Sequence, residues 1–333
     1  MKKDDTKIDF LSIGDIVTDA FIKLKQAKVQ GAPGGADYEI CVPFADKIPY
    51  EDVFITPAVG NASNAAVSAS LLGLKSALVS NIGDDKEGLL CVEALKKAGV
   101  MTDFIKVNTG MKTNYHYVLW YDSDRTILIK HEVYPYSLPE MEEPRWIYFS
   151  SVNETAFPFH YAIADYLDSH PDVKLAFQPG KFEIKMGKEK LQRLYKHSEI
   201  FFCNVEEAKK ILGLDSVEIK DLLLKIHELG PKIVVITDGP KGAYAYDGKE
   251  YLFTPTYPDK NPPYERTGAG DAFASTLVSV IILGKDIKEG LLWAGINSMS
   301  VVQDVGAQRG LLKREKIEEY LKNAPSEYKV KII

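Results

Sequence analysis

A carboxylate just beyond a run of small residues at a helix start can take a proton beside a bound anion. The segment Tyr264-Glu-Arg-Thr-Gly-Ala-Gly-Asp-Ala-Phe273 has that form. Thr267, Gly268, Ala269 and Gly270 let the backbone approach a ligand closely. Phe273, Leu277, Val280 and Ile281 then follow helical spacing until Gly284. The free N–H groups and positive dipole end of such a helix make an anion site, with Asp271 in its first turn. An ordinary helix cap with an acidic first turn remains an alternative. A dinucleotide fingerprint is disfavoured, because Phe273 stands where its last glycine belongs and Pro262-Pro263 is no strand. A Walker loop is disfavoured too, since no Gly-Lys pair is followed by Ser or Thr. The other reading is phosphoryl transfer: Asp271 accepts the proton of an attacking hydroxyl while the amides of Gly268, Ala269 and Gly270 stabilise the transferred group.

Further residues could serve such a site. Asn64 both donates and accepts, which suits orienting a hydroxyl. Asp15, at the end of the first strand, can accept from two hydroxyls. Asn204 and Glu207 begin a helix after the strand Ile200–Cys203, at the carboxyl edge where open α/β sheets bind ligands. One or two carboxylates plus waters and phosphate suit Mg²⁺. The six histidines show no metal spacing and read as structural or surface residues. Lys241 reads as an exposed turn residue, and Tyr115, Tyr117, Trp120 and Tyr121 as sheet packing.

The elements that must position these groups follow an alternating pattern. Continuous apolar runs at Ile8–Ile13, Ser76–Ser80, Trp146–Ser150, Lys174–Phe177, Ile200–Cys203 and Lys232–Thr237 read as strands buried on both faces. Between them lie helical patterns at Asn61–Leu72, Lys86–Ala98, Pro158–Ser169, Gly187–Lys196, Glu206–Leu212 and Val217–Glu228. This order predicts a doubly wound α/β sheet, mostly parallel, with helices on both faces. Residues 1–333 read as one domain. Two stretches break the rhythm: about 17–57, where Gln26–Pro57 carries Gly-Gly and several prolines, and 112–132. The second reads as a β-hairpin, Thr113–Tyr121 and Thr126–His131, around Asp122-Ser-Asp-Arg125. Together they are expected to form a small β-layer over the mouth of the sheet, a candidate lid.

Composition narrows the function classes. The chain has 333 residues, with 41 Lys+Arg against 47 Asp+Glu and a formal net charge of −6. That balance argues against broad nucleic-acid or anionic-membrane binding, so a phosphate ligand must be held by local devices. Three well-separated cysteines, Cys41, Cys91 and Cys203, suit a reducing compartment. No signal-peptide pattern opens the sequence, and the apolar run Leu277–Leu283 is far short of the ~20 residues of a membrane span. A cytoplasmic protein is expected.

In these residues the chain resembles the ribokinase-like (PfkB-type) carbohydrate kinase family over nearly its whole length. Thr267-Gly-Ala-Gly-Asp271 is similar to the family's second signature, and Gly60-Asn61-Ala-Ser-Asn64, continuing to Gly83-Asp84, to its first. The resemblance implies Asp271 as catalytic base, Gly268, Ala269 and Gly270 as anion hole, and Asp15, Asp19, Gly60, Asn61 and Asn64 as substrate contacts. It implies Mg²⁺ organised near Glu207 and Asn204. The nucleotide would lie along Thr237, Gly239, Gly242 and Thr267, with Asn297, Gly306 and Ala307 lining an adenine pocket. Glu265 stands where the family usually has the aspartate that helps bind a monovalent cation, so activation by K⁺ is left open. Arg266 and Val59 also depart from the pattern. The implied activity is ATP-dependent phosphorylation of a primary hydroxyl of a small sugar, or alternatively of a nucleoside. A non-catalytic sugar or nucleotide sensor is the third reading. A homodimer through the lid is implied by analogy.

Overall fold

The computed structural model describes residues 7–31, 38–122, 124–258 and 261–333. The Gly34-Gly35 pair of the first insertion and Ser123 of the hairpin turn lie outside the described residues. Buried apolar strands build a ten-stranded sheet. Its spatial order is Lys331–Ile332, Tyr251–Thr254, Ala243–Tyr246, Ile233–Thr237, Ser198–Asn204, Lys174–Phe177, Trp146–Phe149, Phe10–Ile13, Ser76–Gly83 and Ile105–Asn108. From Ile233–Thr237 to Ile105–Asn108 the pairing is parallel. The remaining strands add an antiparallel edge.

Period-two alternation sends side chains to two cores. Leu11, Ile13, Ile147, Phe149, Leu175 and Phe177 pack on one face with the helices Phe157–Ser169, Gln192–His197 and Ile219–His227. Phe10, Tyr148, Ala176, Ile200 and Phe202 pack on the other with the helices Ala269–Ile282 and Ile287–Val301. This matches the expected doubly wound architecture with helices on both faces. The central strand Phe10–Ile13 has Trp146–Phe149 on one side and Ser76–Gly83 on the other, so chain direction across the sheet reverses there. Such a switch point opens a crevice at the carboxyl ends of the strands.

One expected helix is different. The segment Gly187–Lys196 is not one helix: Lys181–Met186 and Gln192–His197 flank an irregular connection beginning at Gly187, whose φ of +91° ends the first. The other sequence-derived helices appear with ends moved by one or two residues.

The two insertions supply a separate four-stranded sheet of Tyr50–Val59, Val17–Leu24, Tyr115–Tyr121 and Asp124–Leu128. The hairpin is tighter than its sequence suggested, because Tyr121 pairs directly with Asp124 and Trp120 with Arg125. Asp85 anchors its base, capping the helix Lys86–Lys97 at Gly88 N–H while accepting from the Thr113 N–H and hydroxyl at 2.9 and 2.6 Å. Against the upward push of burial, these bonds hold the Asp85 carboxyl below its usual range.

The helix Ala269–Ile282 is buried on nearly every side, between the main sheet and the helices Asn61–Leu71 and Ile287–Val301. That burial fixes where its N-terminus points. Among the described residues no helix is long and apolar enough to cross a membrane. Leu277, fully buried in this helix, is a sensitive probe of the packing. Leu277→Ala is expected to lower unfolding free energy by about 2–5 kcal/mol, read from denaturant titration.

Candidate active site

Two adjoining clefts lie at the carboxyl edge of the main sheet. The first, of about 350 Å³, is walled by Asp19, Gly60, Asn61, Asn64 and His116 on one side. Asn204, Glu207, Thr267, Gly268, Asp271 and Ala307 complete it. The second, of about 700 Å³, runs along Thr237, Gly239, Gly242, Ala269 and the apolar residues Pro255, Met299 and Val302. Asn204, Thr237, Gly270 and Phe273 belong to both, so the clefts meet at the start of the helix Ala269–Ile282. The first N–H groups of that helix lack intrahelical acceptors, and Ala269 N–H reaches back only to the Arg266 carbonyl at 3.5 Å.

The turn into this helix depends on two close approaches. Gly268 has φ +80°, and a Cβ there would come within 2.2 Å of the Ala307 Cβ. Gly60 has φ +108°, and a Cβ there would come within 2.6 Å of the Asp15 carbonyl oxygen. Only glycine fits either place. Gly242 is held in a similar way by the Thr254 carbonyl, so its need for glycine is internal to the sheet edge.

Asp271 is 8 % exposed, and its carboxylate is held by two neutral amides. Asn64 Nδ2 donates to Oδ2 at 2.8 Å and Gln178 Nε2 donates to Oδ1 at 3.2 Å. Each amide is locked in that orientation from behind. Gln308 Nε2 donates to Asn64 Oδ1 at 3.0 Å and to the Ala58 carbonyl at 2.7 Å, leaving the Asn64 NH₂ to face Asp271. The buried Tyr148 hydroxyl donates to Gln178 Oε1, turning the Gln178 NH₂ the same way. Burial pushes the Tyr148 hydroxyl well above its usual range, aided by the Asp271 charge, so it remains a donor. No cation touches the Asp271 carboxylate among these contacts. Its pKa is raised to about 6, with burial pushing it up most, the two amide bonds pulling it down and the Glu207 charge adding a further upward push.

Asn204 and Glu207 form a reciprocal cap of the helix Val205–Leu212. Glu207 N–H donates to Asn204 Oδ1 at 2.9 Å, and Asn204 N–H to Glu207 Oε2 at 2.8 Å. Burial raises the Glu207 pKa, moderated by the Asn204 bonds and Lys210. Among the described residues no cluster of three or more His, Cys, Asp or Glu side chains could hold a metal.

Several expected placements change. Asp15 does not line the cleft: its Oδ1 accepts from the Tyr136 hydroxyl at 2.7 Å and its Oδ2 lies 2.9 Å from His131 Nδ1. Burial and the Asp15 charge push the Tyr136 hydroxyl up, keeping it a donor. Asn297 is fully buried away from both clefts, donating to Thr276 Oγ1 at 2.8 Å and accepting from the Leu312 N–H at 2.9 Å. Its bond to Thr276 ties the helix Ile287–Val301 to the helix Ala269–Ile282. Gly306 abuts Phe21 and Thr56 of the second sheet, and Ala307 lines the first cleft rather than the second.

His116 lines the first cleft, its Nδ1 is 3.4 Å from Asp19 Oδ1, and its Nε2 is 3.1 Å from His131 Nε2. The result is a chain Asp15–His131–His116–Asp19. Gln178, Gln308, Tyr148 and His116 were not assigned from the sequence. Only Gln178 carried a local signal, its place directly after the strand Lys174–Phe177.

Residues 44–314 match the pfkB family carbohydrate kinase description. The ribokinase of Bacillus subtilis is 26% identical over 275 residues, covering 80% of this chain and 89% of that protein. The ATP-dependent 6-phosphofructokinase of Thermoanaerobacterium thermosaccharolyticum is 25% identical over 304 residues, covering 86% of each. The structure of Arabidopsis thaliana ribokinase complexed with ribose and ATP superposes with a TM-score of 0.79 at 18% identity, covering 95% of this chain and 99% of that one. This chain belongs to the pfkB family of carbohydrate kinases, and its fold is that of the ribokinases.

The orientation of Asn64 makes a measurable claim about electrostatics alone. Asn64→Ala removes a donor that favours the ionised carboxyl, so the Asp271 pKa is expected to move above about 6. A carbon-detected NMR titration, with Asp271→Asn used to assign the resonance, checks this.

Proposed function

We propose that this member of the pfkB family transfers the γ-phosphoryl group of ATP to a hydroxyl of a small, uncharged polyol, with Asp271 as general base. One observation carries the reading: a buried carboxylate raised toward neutrality stands beside the amides of a helix start, at the point where two clefts meet. The larger cleft has the size and apolar walls for a nucleotide base, near Met299, Val302 and Pro255. Among the described residues lining the two clefts, Arg266 is the one arginine or lysine, and it lies beside Ala269 and Gly270 in the nucleotide cleft. It is suited to the triphosphate.

The acceptor binds in the smaller cleft against Asp19, Asn61 and His116. Asp271 removes the proton of its hydroxyl, the oxygen forms a bond to the γ-phosphorus, and the bond from that phosphorus to the β-phosphate oxygen breaks, releasing ADP. The amides of Gly268, Ala269 and Gly270 face the charge on the transferred group. Glu207 fits a sparse Mg²⁺ site completed by waters and phosphate oxygens, and bound Mg²⁺ would neutralise phosphate charge. Asn64 and Gln178 hold the base, and the second sheet limits water at the reacting atoms.

The smaller cleft bears Asp19, Glu207 and Asp271 but no lysine or arginine among its described residues, which disfavours a phosphorylated sugar. An unphosphorylated sugar is the leading acceptor class. A nucleoside remains the second reading, supported by Ile127 and Ile129, whose apolar side chains give the cleft a surface for a base.

Asp271→Asn is expected to lower kcat by several orders of magnitude with ATP affinity retained, measured by coupled ADP release and calorimetry. The base works only when ionised. In the wild type kcat/KM should therefore fall as pH drops through about 6 and level off above it. A panel of sugars, nucleosides and sugar phosphates, followed by ADP release, tests the acceptor class. Preferred turnover of a sugar phosphate would overturn the neutral-acceptor reading.

A further inference from the structure

Glu265 is 2 % exposed and immediately precedes the turn that carries the amide cradle. Its Oε1 accepts from the Thr267 N–H at 2.8 Å and the Thr267 hydroxyl at 2.6 Å, and its Oε2 from the Gly306 N–H at 3.3 Å. It therefore fixes Thr267, next to Gly268, and Gly306, next to the Ala307 against which Gly268 packs. A carboxylate this buried is costly to keep ionised with neutral donors alone, and a nearby positive charge lowers that cost. The charge comes from outside the loop. Arg125, on the outer hairpin strand of the second sheet, places Nε 3.2 Å from Glu265 Oε1.

The contact is part of a broader seat. Trp120, the cross-strand partner of Arg125, meets the Tyr264 ring edge-on at 5.3 Å. Phe21, Val118 and Trp120 form a buried cluster with Val305, one residue before Gly306. The second sheet thus rests on both segments that Glu265 ties together.

Glu265 stands where the family usually has the aspartate that helps bind a monovalent cation, and the residues present do not fit one. Glu265 accepts from N–H and O–H groups on both oxygens, and the Arg125 guanidinium stands beside it as an ion pair without hydrogen-bond geometry. Resting on the kinase reading above, we infer that Arg125 is the cation of this turn. It neutralises Glu265 in place of an alkali ion, and it makes the geometry of the phosphoryl-binding amides depend on the second sheet being seated. Arg125 touches no reacting atom and acts as a positioning residue.

The test has an arm that needs no substrate. Amide hydrogen exchange of the 264–270 peptide is compared in wild type, Arg125→Ala, Glu265→Gln and the double variant. Arg125→Ala should speed exchange there, and adding Glu265→Gln should reverse most of that gain, because the unpaired charge is then gone. If Arg125→Ala fails to fold, Arg125→Lys, which keeps the charge but not the planar fork, replaces it and should show a smaller gain. Equal exchange in Arg125→Ala and wild type overturns the inference.

The second arm is kinetic. Wild-type turnover should agree within about twofold in KCl and in tetramethylammonium chloride at equal ionic strength. Arg125→Ala should lose about 10- to 100-fold in kcat with little change in either KM, as expected for misplaced cradle amides. Free guanidinium ion should restore part of that loss. A strong K⁺ requirement in the wild type, or unchanged kcat in Arg125→Ala, overturns the inference. Absence of turnover on the whole acceptor panel, with the exchange pattern as expected, overturns the kinase reading and leaves the latch standing.

Discussion

Burying a carboxylate without a cation is unfavourable, and the site depends on where that cost is placed. Asp271 is held only by the amide groups of Asn64 and Gln178, so burial dominates and its proton affinity rises toward neutrality. An arginine in either place would pair with the carboxylate and keep it ionised and weakly basic. Neutral amides orient both oxygens while leaving the group able to take up a proton. The buried Tyr148 hydroxyl and Gln308 exist in this arrangement to prevent those amides from turning round.

The elements around this carboxylate follow from the same requirement. A helix buried on nearly all sides fixes the direction of its N-terminus, and two glycines let the chain reach it without a clash. The reversal of chain direction around Phe10–Ile13 leaves an opening at the strand ends, and Asp19, His116 and Ile127 of the second sheet line the cleft there. The two buried acids near the turn have opposite surroundings. Asp271 faces uncharged donors, whereas Glu265 faces Arg125. Under the proposed mechanism, two such environments within a few residues would separate a proton-accepting role from a structural one.

Much of the scaffold was legible in the sequence because local signals agree with it. Continuous apolar runs marked the parallel strands, and the glycine turn with Asp271 marked the junction of the clefts. The segment Gly187–Lys196 misled because its composition is helical, while Gly187 takes a left-handed φ that its neighbours do not announce. Asp15 was read from its place at a strand end and Asn297 from the family resemblance alone, and neither reading could foresee their tertiary partners: His131 and Tyr136 for one, Thr276 and Leu312 for the other. Gln308, His116 and Arg125 were silent for a related reason. Their partners lie 244, 15 and about 140 positions away in the chain, through contacts that no local spacing encodes.

Asp271 as the base requires one arrangement of acceptor and phosphate, which a crystal structure with a non-hydrolysable ATP analogue and a turned-over acceptor would show. One Asp271 carboxylate oxygen is expected within about 2.6–3.2 Å of an acceptor hydroxyl. That hydroxyl should lie in line with the γ-phosphorus, with the Gly268–Gly270 amides around the terminal phosphate. An acceptor whose nearest hydroxyl approaches some other base, with Asp271 still bonded only to Asn64 and Gln178, would contradict it.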